Sequence, residues 1–146
     1  MVTSVREVKE MIRSLFEEAF NTGNMELVDR YVAESYLDHS TFAAPVPGVD
    51  GFKQRIQNLK LSFPDLVFKV DDIIVEADRV AFRWTARGTD MGGFLGRPPT
   101  GKPVELAGMN MERISDGKIA EHWSFPDNLS LVQQLGFAPA AGSESG

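Results

Sequence analysis

At Leu66 the spacing of apolar residues changes from the period of a helix to that of a strand, and a chain divided this way folds as helices packed on a sheet. Upstream, Val5, Val8, Met11, Ile12, Leu15, Phe16, Ala19 and Phe20 recur at steps of three and four, the stripe of an amphipathic helix. Ser4 with Glu7 forms a capping box, and Gly23 stands where a left-handed residue ends a helix. Asn24 is placed to cap a short second helix carrying Leu27, Val28, Tyr31 and Val32. ESYLDHS then reads as extended or irregular, and the Pro/Gly segment APVPGVDG as a loop. Asp50 caps a third helix, with Phe52, Ile56 and Leu59 inward, which stops at Phe63-Pro64 because the residue before proline is driven out of the α region.

Downstream the period is two. VFKVDDIIVEA and RVAFRWTARGT alternate as strands joined by a turn at EADR, and PVELAGMNMERI is joined to KIAEHWSF through Ser115-Asp116-Gly117, a strong hairpin signal. Asn128 to Leu135 closes the domain as a helix ended by Gly136. The expected fold is α+β: a curved antiparallel sheet wrapped around the N-terminal helices, cone-shaped with an internal pocket. Residues 1–136 form one such domain and 137–146 a flexible tail. On strand 80–88, Val80, Phe82, Trp84 and Ala86 must face inward. Val70, Ile73 or Ile74, and Met109 or Met111 are expected on the outer face, apolar enough to be covered in a homodimer or higher homo-oligomer.

Composition narrows the function. There is no cysteine, and only two histidines, His39 and His122, so thiolate chemistry is excluded and no metal site of ordinary ligand spacing is expected. A net charge of −6 opposes nucleic acid as a partner, and no apolar run approaches a membrane span. Charge in MVTSVREVKE, where an export signal needs apolar residues, makes the cytoplasm the expected location. No dinucleotide fingerprint is present, and GRPPTG lacks the features of a phosphate cradle, since prolines remove N–H donors and no helix follows.

The stretches NTGNMELVDRYVAESYLDH, FPDLVFKVDDIIVEADRVAFRWTARGT, GRPPTGKPVEL and ERISDGKIAEHWSFPDNLSLVQQLG together resemble the SnoaL-like polyketide cyclase family of the nuclear-transport-factor-2-like superfamily, over roughly residues 4–136. The resemblance implies a cofactor-free enzyme that closes a ring by intramolecular aldol chemistry on a hydrophobic, aromatic polyketide-like small molecule. It implies an acid/base aspartate just after the last strand, a position that Asp127 occupies in HWSFPDNL, and it brings His39 in through the Asp38-His39 motif. A carboxylate suits that task because a proton flanked by carbonyls is unusually acidic.

Beside these catalytic candidates, Trp84 and Trp123 would supply flat walls and Asn110 a hydrogen-bonding group on the facing strand. Glu121 and His122 are adjacent, so only one faces the pocket. Glu121 is the choice, because it shares a face with Trp123, and His122 is left to the surface or sheet edge. Structural roles compete throughout: Asp127 before Asn128 is a good helix cap, both tryptophans would be buried in any such cone, and His39 could serve loop backbone. A hydrolase or hydroxylase using the same pocket, and a non-catalytic small-ligand binding protein, are the alternative functions.

Overall fold

The computed structural model describes residues 4–40, 46–93 and 96–137. The first helix, α1 (Val5–Arg13), begins with the Glu7 N–H donating to Ser4 Oγ at 3.1 Å. It runs on through a π-helical segment (Ser14–Ala19) and a last turn, α2 (Phe20–Thr22), and ends at Gly23 with φ 77°. Asn24 Oδ1 accepts the Glu26 N–H at the start of α3 (Glu26–Tyr31). The next helix, α4 (Gly48–Ser62), starts at the cap Pro47, three residues before the expected Asp50 cap, so Asp50 lies in its first turn. The end of the expected loop APVPGVDG is therefore helical, while residues 41–45 and the tail from 138 lie outside the described residues. Helix α4 stops at Phe63, before Pro64.

Strands β2 (Val67–Glu76), β3 (Arg79–Thr89), β4 (Pro103–Ser115) and β5 (Lys118–Pro126) pair in sequence as an antiparallel meander, and α5 (Asn128–Leu135) follows. A fifth strand, β1 (Val32–Asp38), lies parallel to β5 at the sheet edge, giving the order β1-β5-β4-β3-β2. The segment ESYLDHS is thus mostly strand. Its ladder is made with residues some 85 positions away and only Val32 and Tyr36 of β1 are buried, so alternation is too weak to reveal it locally.

The long first helix and α4 fill the concave side of the sheet. Phe16, Phe52, Phe82, Ile12, Leu15 and Ile56 are fully buried there, with the Phe16 and Phe82 rings 4.8 Å apart. Burying each such side chain contributes roughly 1.5–3 kcal/mol. Val80, Phe82, Trp84 and Ala86 face this core, as parity requires. Strand β2 departs from simple alternation: the pairs Val70–Trp84 and Asp72–Arg83 leave Asp71 as a bulge. Val70 and Ile73 consequently both point into the core, which corrects the expected outer place of Val70 and leaves Ile74 as the outward member of the Ile73/Ile74 alternative; Ile74, Met109 and Met111 are exposed on the outer face.

The connection from β3 to β4 is stapled by Asp90, which is fully buried. Its carboxylate accepts the Gly93 N–H at 3.1 Å, the Thr100 N–H at 3.0 Å and the Thr100 hydroxyl at 2.9 Å. Asp90→Ala should cost about 1–3 kcal/mol for the donors left unpaired, measured by urea denaturation. Limited proteolysis should then cut first between residues 90 and 102.

Candidate active site

A cavity of about 320 Å³ opens between the helices and the inner face of the sheet. Phe16, Phe20, Phe52, Phe63, Phe68 and Trp84 make its apolar walls, and Arg55, Asn58, Asn110, His122, Ser124 and Asn128 supply polar groups. An apolar annex of about 70 Å³ between Leu66, Ala86 and Val104 shares the Trp84 and Phe68 wall. A largely apolar concavity with a few convergent polar groups is the usual form of a small-molecule site.

Asn110, Ser124 and His122 floor it, with the buried Glu112 behind His122. Asn110 faces Ser124, and Glu112 faces His122. Glu112, with no exposed surface, places Oε1 2.6 Å from His122 Nδ1. Burial pushes the Glu112 carboxyl up from 4.5 to about 6, against the opposing pull of His122. At neutral pH the carboxylate is charged and takes the Nδ1 proton as acceptor, which leaves Nε2 as the ring nitrogen turned away from it. Nε2 has no hydrogen bond among the described residues. Tyr36 packs beside His122, its ring centroid 6.1 Å away. Burial, with the charges of Glu112 and Asp38, pushes the Tyr36 phenol up, so it stays neutral. At the cavity wall, Arg55 Nη1 donates to Asp38 Oδ2 at 2.6 Å and to Ser40 Oγ at 2.9 Å. Burial opposes ionisation of Asp38, but hydrogen bonds from Ser40 and the Arg55 charge outweigh it and hold the carboxyl below its ordinary value.

The structure separates the residues singled out in the sequence into three places. Trp84 and Asn110 line the cavity, joined by a 2.9 Å hydrogen bond from the indole Nε1–H to Asn110 Oδ1. His39, Glu121 and Trp123 gather on the opposite face of the sheet: the His39 ring stacks on Trp123 at 4.8 Å, and Glu121 binds His39 Nε2 at 2.7 Å and Arg113 Nε at 2.6 Å. Asp127 is exposed and caps α5, accepting the Ser130 N–H at 3.1 Å, while its neighbours Pro126 and Asn128 reach the cavity wall.

Glu121 does share a face with Trp123, but it is the outer face, and His122 takes the inner one. The cause is a register shift. From the Asp116-Gly117 turn, Ser115 pairs with Lys118 and Ile114 with Ile119; beyond it Arg113 pairs with Glu121, leaving Ala120 unpaired. An unbroken ladder would set Glu121 opposite Glu112, and the bulge sets His122 there instead. Glu112 itself was legible: it shares strand parity with Asn110, and a glutamate at a core-facing position asks for a partner.

The SnoaL-like polyketide cyclase family matches residues 10–135. The chain belongs to that family. Among family relatives, the nogalonic acid methyl ester cyclase of Streptomyces nogalater is 29% identical over 81% of this chain and 90% of its own. TsrD from Streptomyces laurentii superposes with a TM-score of 0.86 at 26% identity, over 93% of this chain and 99% of that one. IdmH, a proposed polyketide cyclase of Streptomyces antibioticus, superposes with a TM-score of 0.75 at 38% identity, over 88% and 97%. In this SnoaL-like chain, therefore, the arrangement of helices on a curved sheet is a family feature.

A raised carboxyl pKa gives stability that is present below the unfolded value of 4.5 and lost as pH rises through about 6. Glu112→Gln removes that loss. The variant should match wild type near pH 4.5 and gain on it by up to about 2 kcal/mol above pH 7, in denaturant titrations run across that range. A difference that stays flat with pH would contradict the raised carboxyl.

Proposed function

We propose that this protein closes a ring in an aromatic polyketide-like small molecule by an intramolecular aldol-type reaction, with His122 as the acid/base and no cofactor. The observation that carries this reading is the His122–Glu112 pair set in the floor of an apolar cavity. Its Nδ1 is engaged by a buried carboxylate, its second nitrogen is unengaged, and the cavity walls around it are largely apolar. The family and the named activity of the Streptomyces nogalater relative support the reaction class.

The steps balance within one molecule. Nε2 of His122 takes a proton from a methylene flanked by carbonyls; the resulting carbanion forms a carbon–carbon bond to a carbonyl carbon of the same substrate; the new alkoxide takes the proton back from the imidazolium. Asp127, which stands at the position the family resemblance implies for the acid/base, is the rival for this role. Its exposure and its cap bond favour His122.

A cytoplasmic setting belongs to the same proposal, as does a homodimer. Ile74, Met109, Met111 and Phe125, the last 72% exposed, form an apolar strip on the outer face, with Met109 opposite Phe125 across the ladder. A second copy covering that strip should give a dimer in sedimentation at micromolar concentration, and Phe125→Glu should shift it to monomer.

The catalytic test uses nogalonic acid methyl ester as substrate. His122→Gln should lower turnover at least about a hundredfold, and Asp127→Asn, which caps a helix about as well as Asp, should keep both turnover and melting temperature near wild type. The reverse pattern would hand the reaction to Asp127. In wild type, kcat/KM should fall as pH drops through about 6, where Glu112 takes up a proton and no longer holds the His122 base as a carboxylate.

A further inference from the structure

We propose that Trp84 is a positioning residue that locks the Asn110 side chain as a one-way hydrogen-bond donor, so that the cavity accepts substrates presenting a carbonyl or enolate oxygen at Asn110. The proposal rests on the cavity being the substrate site of the reaction proposed above, and it adds which part of the substrate is read there.

The lock follows from donor chemistry. An indole Nε1–H donates and never accepts, so the Asn110 atom 2.9 Å from it must be the amide oxygen. Asn110 thereby presents its NH2 away from Trp84. That nitrogen has no hydrogen bond among the described residues, although Asn110 is only 5% exposed and lines the cavity. Facing the cavity, that donor is left for an acceptor on a bound molecule.

Trp84 cannot easily release the amide. Its ring stacks on Phe68 with centroids 4.8 Å apart, and its other side lies against the Gly108 backbone so closely that a Cβ there would come within 2.4 Å of the indole. Glycine at 108 is what lets the indole lie flat on β4 and aim Nε1 at Asn110, two residues along the same face.

The donor and the base are also placed for one substrate unit. Asn110 pairs with Ser124 and Glu112 with His122, so Asn110 and His122 are diagonal neighbours across β4 and β5, about 7–8 Å apart at the backbone. A methylene facing His122 and its flanking carbonyl oxygen facing Asn110 fit between them. Proton removal moves charge onto that oxygen, where a fixed donor stabilises it at no cost in reorganisation. A substrate offering an N–H at that point meets donor against donor and is rejected.

The test needs no turnover. The probe is 2-hydroxyanthraquinone, a planar phenol whose visible absorbance reports its ionisation, and the reading is the pH midpoint at which the bound probe loses its proton. Wild type should lower the midpoint relative to free probe. Asn110→Leu should abolish the shift, Asn110→Asp should raise the midpoint by about one unit or more, and Trp84→Phe, which keeps a ring on Phe68 but frees the amide to turn, should lose at least half of the shift. In the Asn110→Leu background Trp84→Phe should move the midpoint no further, a non-additivity that a packing role alone would not produce. Asn110→Asp is nearly isosteric, so it carries the test if Trp84→Phe melts early. The proposal is overturned if the probe does not bind, or if Asn110→Leu leaves the midpoint at its wild-type value. A midpoint shift that depends on Asn110 and Trp84, with no turnover of nogalonic acid methyl ester, would keep this donor site and remove the cyclase reading. His122-dependent turnover with an unchanged midpoint in the Asn110 and Trp84 variants would do the opposite.

Discussion

Ala120 has no partner on β4, and that single unpaired residue decides the chemistry of the cavity. Because strand side chains alternate with period two, moving the ladder by one residue exchanges every side chain beyond it between core and outer face. Here the exchange turns His122 and Ser124 inward and sends Glu121 and Trp123 outward. The two buried faces on either side of the shift are satisfied at once: Ile119 and Ala120 are both buried, so the bulge is anchored by apolar contact at the point where it occurs. Without that anchor the carboxylate of Glu112 would face Glu121, two like charges in the core, instead of an imidazole.

The inward pair is costly to the fold. A carboxylate with no contact to water loses its hydration, and a hydrogen bond to one imidazole recovers part of that loss, which is why Glu112 titrates near 6. Its second oxygen, Oε2, and the Tyr36 hydroxyl are both buried without a partner among the described residues. An interior built for stability alone would place apolar side chains at these positions. The outer-face cluster solves a similar problem cheaply, since Glu121 is partly exposed and held by both Arg113 and His39, whose hydrogen bonds keep its carboxyl below the ordinary range. The contrast in environment, not in residue type, separates a structural ion cluster from a group poised to exchange a proton.

The elements that depend on local pattern could be read from the sequence, and those that depend on distant pairing could not. The first helix from Ser4 to Gly23, the four meander strands and α5 follow from capping residues, period and the Asp116-Gly117 turn, all of which act within a few residues. The strand β1 is held by β5, and the two bulges at Asp71 and Ala120 are register shifts against a neighbouring strand; no local alternation encodes either. Trp84 and Asn110 could be placed by parity counted along β3 and β4, which reach them without a shift. His122 could not, since the count from the turn crosses Ala120. Glu121 was assigned inward for sharing a face with Trp123, and that shared face is the outer one, while the motif-based choices, His39 and Asp127, carried no information about facing at all.

This division also explains how one cone can serve different reactions. The apolar residues that fix the sheet against the helices, Phe16, Phe52, Phe82, Ile12 and Ile56, come from both helices and β3, while the polar floor is drawn from four positions on β4 and β5: 110, 112, 122 and 124. Those four positions set the polar groups at the cavity floor, and none of them belongs to the apolar set that fixes the sheet against the helices. Their geometry is nevertheless imposed from outside the floor: by the bulge at Ala120 for His122, and by Phe68 and Gly108 through Trp84 for Asn110. A change of chemistry in such a cavity is therefore constrained less by the four floor residues than by whether the neighbours that aim them can accept the replacement.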